Sequence, residues 1–468
     1  MLNNVPEKMV DVGLLALTAK NFNKLPALLN IAKGQIKKRL YIRPECYSDL
    51  VNQIPNIYLE ANKSCGQLDV RVLIDPRKTV KFDKYYGENE SMEKELAVQN
   101  FLNLKKQFDA VVIGGTFDRI HNGHKVLISC AALQASKYLV TGVTKGEMNN
   151  KKILWELMEP FEARIRGVDD FLYDISVGIE SRTEAITDAY GPSIVDQNLK
   201  LIVTSEDTRK GGEAVNIKRK ERNMSTLETY VIPLIEGADE ILNESKLSSS
   251  AQRRSLLGSI LRQPEPKDLP KRPYIIGLTG GICSGKSSLA TFLGTQNTEV
   301  IDCDKLGHAL YSDSADLRNE LIKEFGEAVA TEGSINRKEL GNIIFNSTEK
   351  RLRLNEIVWP KIAAMAKEVI AKTDKDIVIL EAAALLEASF DVYCHQVWTV
   401  FIPQAEAIKR VVERDGFSEE AAQARVNSQS SVQDKIAKSN IVFCSLWSKT
   451  ETQRQALKAL DIVKSKYL

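Results

Sequence analysis

The sequence has almost no net charge, only four histidines and no long apolar run. Its 64 basic and 62 acidic residues leave a net charge of +2, so no overall field attracts nucleic acid, although a local basic cleft can still bind phosphate groups. No run of apolar residues reaches the length that a membrane-spanning helix needs. We therefore expect neither a nucleic-acid partner nor a transmembrane segment.

Disulfide frameworks and targeting sequences are also missing from the pattern. The seven cysteines are an odd number without paired spacing, which indicates a reducing compartment and gives no zinc motif. The first apolar stretch, residues 12–17, follows Glu7 and Asp11 and is typical of neither a signal peptide nor a transit peptide. We predict a cytoplasmic location. Attachment to the mitochondrial surface is an alternative, because binding through a partner leaves no strong signal in the sequence.

Length and composition predict several folded domains. The 468 residues exceed what one hydrophobic core normally serves, and 43% hydrophobic with 27% charged residues is typical of globular proteins. Four prolines within residues 262–273 disfavour regular structure and mark a boundary. We predict an N-terminal segment at residues 1–105, a domain at 106–262, a linker at 263–273 and a second domain at 274–468.

Short strand-like runs alternate with helical patterns on both sides of that boundary, which predicts parallel α/β sheets. The predicted strands are residues 39–43, 68–74, 110–113, 138–143, 201–204, 229–235, 274–278, 299–301, 376–380 and 396–401. The expected fold class is α/β, with two doubly wound domains after a small N-terminal α/β segment. That segment carries no recognisable site, and packing on its neighbour, partner binding and a domain remnant are the alternatives for it.

A phosphate-binding loop follows the predicted strand at residues 274–278. The run Gly280-Gly-Ile-Cys-Ser-Gly-Lys-Ser287 matches Gly-x4-Gly-Lys-Ser and opens a helical run, which is the context that a P-loop needs. Backbone amides and the helix N-terminus suit phosphate, Lys286 can reach the outer phosphates of ATP, and Ser287 can ligate Mg²⁺. The predicted ATP-binding residues are Gly280, Gly281, Ile282, Cys283, Ser284, Gly285, Lys286, Ser287 and Ser288.

Two carboxylates end the next predicted strand. Asp302 and Asp304 are expected at the sheet edge beside the phosphate loop, where a carboxylate can accept a proton from an attacking hydroxyl or hold magnesium. We assign the base to Asp304, and capping of the following helix is the alternative for both. Arg410 and Arg414 share one helical face and are expected to bind the ATP phosphates as a lid, with a solvated helix face as the alternative.

Cys283 lies inside the phosphate loop, next to backbone amides, a helix N-terminus and Lys286. This environment predicts a lowered pKa for its thiol and hence sensitivity to oxidation. The alternative is a small packing residue in the loop.

The loop, the run Val300-Ile-Asp-Cys-Asp304 and the two arginines followed by Gln429 resemble the dephospho-coenzyme A kinase family. The resemblance covers residues 274–468 and implies transfer of a phosphate from ATP to the ribose 3′-hydroxyl of dephospho-CoA. It implies that Asp304 is the general base and that Arg410 and Arg414 belong to the lid. Trp359-Pro360 stands where the family often has His-Pro.

Two of the four histidines fall in one turn upstream. The run Gly114-Gly-Thr-Phe-Asp-Arg-Ile-His121-Asn-Gly-His124 joins a predicted strand to a helical run. Imidazoles and glycines at a helix N-terminus suit stabilisation of a pentacoordinate α-phosphate. A metal pair and chance polar turn residues are the alternatives.

A hydroxyl cluster with a cation, Ser248-Ser-Ser250 and Arg253, can cap a helix or bind a triphosphate. Together with the histidine turn and the run Val203-Thr-Ser-Glu-Asp-Thr-Arg209-Lys-Gly-Gly212, it makes residues 106–262 resemble phosphopantetheine adenylyltransferase of the eukaryotic type. The resemblance implies a Rossmann-like nucleotidyltransferase fold. It also implies attack by the 4′-phosphate of phosphopantetheine on the α-phosphate of ATP, giving dephospho-CoA and pyrophosphate.

The same resemblance implies a role for each matching residue. His124 stabilises charge in the transition state, and Lys151 or Lys152 holds the phosphopantetheine phosphate together with Arg209. The residues implied to bind ATP are Gly114, Gly115, Thr116, Phe117, His121, His124, Ser248, Ser249, Ser250 and Arg253.

The product of the first implied reaction is the substrate of the second, so the whole chain resembles the bifunctional coenzyme A synthases. The implied partners are ATP, 4′-phosphopantetheine and dephospho-CoA, with Mg²⁺ as cofactor. Two alternatives remain: a kinase fused to a noncatalytic precursor-binding region, and a nonenzymatic scaffold. The intact His124, Lys286 and Asp304 favour the enzyme.

Overall fold

The computed structural model describes residues 9–45, 49–66, 68–75, 77–87, 108–331, 334–345 and 347–468. By compactness the chain divides into two units, Met1–Gln252 and Arg253–Leu468. Within the described ranges, none of the helices combines the length and the apolar character needed to cross a membrane.

The first unit opens with a parallel sheet of four strands in the order β3-β2-β1-β4. Its strands are β1 (Val10–Leu17), β2 (Ile36–Pro44), β3 (Asp69–Val72) and β4 (Lys84–Tyr86), with the helices α1 (Leu25–Gln35) and α2 (Leu50–Cys65). The predicted strands at 39–43 and 68–74 correspond to β2 and β3. Residues of this sheet and its helices share one hydrophobic core with the sheet that follows, so the N-terminal segment packs on its neighbour.

That second sheet of the first unit is parallel throughout, in the order β7-β6-β5-β8-β9. Its strands are β5 (Phe108–Gly115), β6 (Ala135–Thr144), β7 (Glu180–Ile186), β8 (Leu201–Ser205) and β9 (Glu228–Ile232). The accompanying helices are α3 (Asn122–Gln134), α4 (Phe161–Ile175), α5 (Arg209–Glu221) and α6 (Ser249–Ser255), and a hairpin of β10 (Glu236–Asp239) and β11 (Glu244–Lys246) precedes α6. The chain reverses its direction of strand addition between β5 and β8, which is where doubly wound sheets bind ligands.

The second unit has a five-stranded parallel sheet in the order β13-β16-β12-β17-β18. Its strands are β12 (Tyr274–Gly280), β13 (Glu299–Asp302), β16 (Ile377–Glu381), β17 (Gln396–Phe401) and β18 (Ile441–Cys444), and β14 (Ala330–Thr331) with β15 (Ser334–Ile335) forms a separate hairpin. The helices are α7 (Lys286–Gly294), α8 (Cys303–Asp313), α9 (Ala315–Phe325), α10 (Arg337–Phe345), α11 (Thr348–Lys372), α12 (Gln404–Asp415), α13 (Glu419–Asn427), α14 (Val432–Lys438) and α15 (Lys449–Lys466). Strands β12, β16, β17 and β18 are buried at every position, because helices cover both faces of such a sheet.

The predicted α/β class with two doubly wound sheets is confirmed. Two strands are shorter than predicted: the strand expected at 68–74 covers only Asp69–Val72, and the strand expected at 229–235 ends at Ile232. Pro233 follows it and has no backbone N–H to continue the ladder.

The Pro-rich segment at residues 262–273 contains no helix or strand, as its prolines predict. It is held on the second unit, because Lys267 Nζ donates to the carbonyl oxygens of Asp391 and Cys394 at 2.7 and 2.8 Å. The domain boundary expected here stays a prediction, since the division by compactness falls earlier, after Gln252.

Candidate active sites

The phosphate loop of the second unit connects the end of β12 to the start of α7. Gly285, the residue before the helix, has a φ of 84°, a left-handed conformation that glycine adopts without strain. A Cβ on Gly280 would lie 2.6 Å from the carbonyl oxygen of Val400 on β17. The glycines therefore let the loop turn tightly against the neighbouring strand.

Side chains from outside the loop hold its backbone. Gln429 Oε1 accepts a hydrogen bond from the Ile282 amide at 2.8 Å. The Arg410 guanidinium donates to the carbonyl oxygen of Cys283 at 3.4 Å and to that of Ser445 at 2.9 Å. Arg410 thus braces the loop here, and its role as a lid residue on the phosphates stays a prediction.

The lysine and the hydroxyl of the motif both contact one carboxylate. Lys286 Nζ donates to Glu381 Oε1 at 2.8 Å, and Ser287 Oγ donates to the same oxygen at 2.6 Å. Glu381 ends β16, which pairs directly with the loop strand β12, and it is only 4% exposed. No sequence motif assigns a role to Glu381, although its position at the end of a buried strand beside the P-loop strand is a usable signal.

The two aspartates after β13 have different surroundings. Asp302 Oδ1 accepts from the Lys305 amide at 2.9 Å and caps α8, so the capping alternative applies to this residue. Asp304 instead lies 3.4 Å from Lys286 Nζ, and its side chain is 43% exposed. Of the two carboxylates, Asp304 lines the phosphate-loop cavity.

That cavity has a volume of 670 Å³ and gathers every residue predicted to bind ATP in this unit. The predicted residues that line it are Gly280, Gly281, Ile282, Cys283, Ser284, Gly285, Lys286, Ser287, Ser288, Arg410 and Arg414. Arg414 is paired with Asp415 at 2.8 Å and is the more exposed of the two arginines. The arrangement offers backbone amides, cations and a carboxylate around one space, which is what phosphoryl transfer requires.

The expectation for Cys283 is wrong in its direction. Burial raises the pKa of its thiol above the ordinary value, and the nearby Arg414 and Arg410 only partly oppose this. The thiol is therefore less easily ionised than a free cysteine, which removes the basis for an oxidation-sensitive thiolate. The alternative of a packing residue in the loop accounts for it.

The histidine turn lies in the first unit between β5 and α3. The rings of His121 and His124 stack with their centroids 3.9 Å apart, and the Phe117 ring lies 5.3 Å from that of His124. Phe117 is completely buried, so its side chain belongs to the core and only its backbone remains for ATP. Gly114 and Gly115 end the strand just before the turn.

Buried polar groups that the sequence reasoning missed fix the shape of this turn. Arg164 on α4 donates to the carbonyl oxygen of Thr116 at 2.7 Å, and the buried Asp118 accepts from the Glu159 amide at 2.9 Å. Ser249 Oγ donates to the carbonyl oxygen of Asp118 at 3.0 Å. The start of α6 therefore lies against the histidine turn, as the predicted shared site requires.

The remaining residues predicted for this site differ in their contacts and in their exposure to solvent. Ser248 Oγ accepts from the Ala251 amide at 3.0 Å and donates to Glu244, so it caps the short helix α6. Lys152 is half-buried and Lys151 is exposed, and the positive charge of Lys152 acts on His124. Arg209 begins α5 just after β8 with an exposed side chain paired to Glu213.

Two further predicted residues lie in α6. Ser250 is half-buried, and Arg253 is buried. The division by compactness assigns Ser250 to the first unit and Arg253 to the second. Their roles on the triphosphate stay predictions.

Both imidazoles are electrically neutral near neutral pH. Burial lowers the pKa of His124 to about 4, with Asp118 opposing the change and Lys152 adding to it. Burial also lowers the pKa of His121 well below its ordinary range, helped by His124 and Lys125. Within the described part of the chain, neither Nδ1 atom has a hydrogen-bond partner. Buried nitrogens without partners are rare, and a catalytic role is one of the reasons for which they occur.

This burial predicts acid sensitivity of the first unit. The unfolded chain takes up a proton at residue 124 below its ordinary pKa of 6.5, whereas the folded chain does so only near pH 4. The folded pKa lies below the unfolded one, so the unfolded state binds more protons between these values and the free energy of unfolding falls by up to about 3 kcal/mol as the pH drops through them. Urea unfolding of the unliganded protein across this range is expected to show that fall.

His124→Gln removes one of the two buried histidines and is expected to make the decline shallower, whereas His308→Gln, at an exposed position on α8, is expected to leave it unchanged. Equal slopes for the wild type and His124→Gln contradict the prediction.

The folds and the two sites define a two-domain nucleotide-dependent transferase. Residues 274–445 match a family model described as Dephospho-CoA kinase, and residues 112–255 match one described as Cytidylyltransferase-like. The chain is similar to the dephospho-CoA kinase of Shouchella clausii, with 35% identity over 189 residues, which is 40% of this chain and 96% of that protein. It is similar to the dephospho-CoA kinase of Carboxydothermus hydrogenoformans, with 33% identity over 40% of this chain and 93% of that protein.

The chain therefore belongs to the dephospho-CoA kinase family through its C-terminal half, and it carries a nucleotidyltransferase domain upstream. The crystal structure of TT1252 from Thermus thermophilus is also similar, with 30% identity over 41% of this chain and 97% of that chain at a TM-score of 0.37. The predicted pairing of the two families in one enzyme of coenzyme A biosynthesis is confirmed.

Proposed function

We propose that this chain catalyses two consecutive reactions. ATP and 4′-phosphopantetheine give dephospho-CoA and pyrophosphate at the histidine turn, and ATP then phosphorylates the ribose 3′-hydroxyl of dephospho-CoA at the phosphate loop. The observation that carries the proposal is the presence, on one chain, of a dephospho-CoA kinase domain and of a transferase turn with two imidazoles, whose Nδ1 atoms have no hydrogen-bond partner among the described residues. The order of the two sites along the chain is the order of the reactions.

Adenylyl transfer needs charge stabilisation rather than a side-chain nucleophile, because the phosphate of the acceptor itself attacks. A neutral imidazole can donate one N–H to a phosphate oxygen. His121 and His124 supply two such donors at the start of α3, where the helix dipole also favours anions. Lys152, whose charge reaches His124, suits the acceptor phosphate better than the exposed Lys151, and Arg209 lies at the carboxyl end of the neighbouring strand β8.

In the kinase reaction, Asp304 accepts the proton of the ribose hydroxyl while Lys286 and the loop amides bind the β- and γ-phosphates. The distance of 3.4 Å between Lys286 Nζ and the Asp304 carboxylate brings the base close to the group that binds the outer phosphates. Proton removal then occurs where the new P–O bond forms.

Magnesium fits the oxygen donors next to the loop. Ser287 Oγ and Glu381 Oε1 lie 2.6 Å apart, and hydroxyl and carboxylate oxygens are the ligands that Mg²⁺ prefers. When bound with the nucleotide, Mg²⁺ neutralises charge on the β- and γ-phosphates. Ser287 would hold it directly, and Glu381 would bind it or its water.

The test incubates the purified wild-type chain with ATP, Mg²⁺ and 4′-phosphopantetheine and measures dephospho-CoA and CoA by mass spectrometry. We expect CoA to form with dephospho-CoA as a transient, and EDTA to stop the second reaction because the phosphates then lose their cation. Lys286→Ala is expected to accumulate dephospho-CoA. If the wild type phosphorylates supplied dephospho-CoA but never makes it, the upstream domain is a noncatalytic binding region and the first half of the proposal is wrong.

A further inference from the structure

A buried cation lies next to the catalytic histidine of the first unit. Lys125 follows His124 in the first turns of α3 and is only 5% exposed. The start of a helix carries a partial positive charge, which disfavours a cation there. A buried ammonium group is also strongly unfavourable unless it is paired. Lys125 therefore depends strongly on its partners.

Those partners come from the N-terminal segment. Lys125 Nζ donates to Asp69 Oδ1 at 2.7 Å and to the carbonyl oxygen of Val70 at 2.9 Å, both on β3. Arg39 and Arg71 donate to the other oxygen of Asp69 at 2.8 and 3.0 Å. Burial opposes ionisation of Asp69, but the surrounding cations prevail and lower its pKa to about 2, so the carboxylate is charged at any physiological pH.

The same segment also packs on α3 through apolar contacts. Ile54 and Tyr58 on α2 belong to one buried cluster with Val126 and Ile128 on α3. The Cys130 thiol of α3 lies 3.7 Å from the carbonyl oxygen of Val51 on α2. The helix that carries His124 is therefore held by the N-terminal segment along its length.

The contact reaches the histidine turn itself. A polar cavity of 410 Å³ is lined by Asp69 and Arg71 from the segment and by Ile120, His121 and Lys125 from the turn and α3. The N-terminal segment thus forms one wall beside an imidazole that the adenylyl transfer uses.

We infer that Asp69 is a positioning residue of the adenylyl-transfer site, acting through Lys125 to fix the first turn of α3 and with it His121 and His124. The N-terminal segment is then a working part of the transferase rather than a separate module. This inference rests on the proposed function. Without the carboxylate, Lys125 keeps a buried charge with only neutral acceptors, and moving its ammonium group toward water displaces the adjacent His124. A displacement of about 1 Å is enough to slow a reaction that depends on positioning.

The first test measures the NMR signals of the histidine side chains and does not depend on enzymatic activity. The chain has four, at positions 121, 124, 308 and 395, so the imidazole signals of protein labelled with ¹⁵N-histidine can be assigned by single substitutions. Asp69→Asn is expected to shift the signals of His121 and His124 and to leave those of His308 and His395 unchanged. Unchanged signals of His121 and His124 overturn the inference, whether or not the wild type makes dephospho-CoA.

Asp174→Asn is the matched control. Asp174 belongs to the same charge network, where it accepts from Arg71 at 2.9 Å and from Tyr41 at 2.8 Å. Among the hydrogen bonds of the described residues, none joins it to Lys125. A general loss of packing in the segment affects both variants alike, whereas positioning through Lys125 affects only Asp69→Asn.

The second test separates kcat from KM in the formation of dephospho-CoA. Asp69→Asn is expected to lower kcat about tenfold or more with the KM values for ATP and 4′-phosphopantetheine changed less than about twofold, because misplacement raises the barrier more than it weakens binding. Phosphorylation of supplied dephospho-CoA by the same sample is the internal control and is expected to be unchanged.

Two further variants identify Lys125 as the intermediary. Asp69→Glu, which keeps the charge, is expected to recover part of kcat. The double variant Asp69→Asn with Lys125→Met is expected to have a higher kcat for dephospho-CoA formation than Asp69→Asn alone, since an apolar side chain needs no counter-ion. An Asp174→Asn kcat as low as that of Asp69→Asn, or a double variant no better than Asp69→Asn, overturns the inference. A wild type that makes no dephospho-CoA contradicts the proposed function and leaves the imidazole signals to decide the structural claim.

Discussion

Asp304→Asn is expected to lower kcat for the conversion of dephospho-CoA to CoA by about 1,000-fold, within the range typical of a lost general base. The amide keeps the size and shape of the carboxylate, so the substrates still bind, but it cannot accept the proton of the ribose hydroxyl. We therefore expect KM values close to those of the wild type. Initial rates with supplied dephospho-CoA measure both quantities.

Asp302→Asn is the control for this variant because the two aspartates lie two positions apart in the chain and have different partners. Asp302 accepts from the Lys305 amide and caps α8, and asparagine caps a helix equally well. Its kinase rate is expected to stay near that of the wild type. A small effect of Asp304→Asn, or an equal loss in both variants, contradicts the assignment of the base.

His124→Asn is expected to lower the rate of dephospho-CoA formation by about 100- to 1,000-fold, as removal of one preorganised donor to a transition-state oxygen does elsewhere. Asparagine is shorter than the imidazole that stacks on His121, so its amide does not reach the same phosphate oxygen. Pyrophosphate release from ATP and 4′-phosphopantetheine measures this reaction.

The kinase reaction of the same protein is the control for His124→Asn, because His124 lies in the other compact unit. Supplied dephospho-CoA is expected to be converted at the wild-type rate. Full adenylyl transfer by His124→Asn assigns the chemistry to other groups, and loss of both reactions indicates unfolding.

The motif-bearing parts of the fold could be predicted because local sequence determines them. The phosphate loop and the histidine turn each follow an apolar strand and precede a helix, and the structure has both at the carboxyl ends of β12 and β5. The strand predicted at residues 396–401 has the same bounds in the structure, Gln396–Phe401. Every position in it is buried, as is typical of strands covered on both faces.

The missed features depend on contacts between distant segments. Glu381 meets Lys286 across 95 positions in the chain, and Asp69 meets Lys125 across 56, so no spacing rule reveals either pair. The loop amides and Lys286 predict a lowered pKa for the Cys283 thiol, but burial by the surrounding residues raises it. Lys151 and Lys152 are adjacent residues of the same type, so only the folded structure shows that Lys152 is half-buried and Lys151 is exposed.

The contact of Glu381 with both Lys286 and Ser287 has a consequence for ligand discrimination. Glu381 already accepts a hydrogen bond from the cation and from the hydroxyl of the loop. A lone inorganic phosphate must compete with that carboxylate and then leaves two negative charges side by side in a buried place, which is unfavourable. A nucleotide bound together with a divalent cation would bring a positive charge next to Glu381. Its phosphates would then bind Lys286 in place of that carboxylate. We therefore expect the loop to bind a metal-loaded triphosphate in preference to a simple anion.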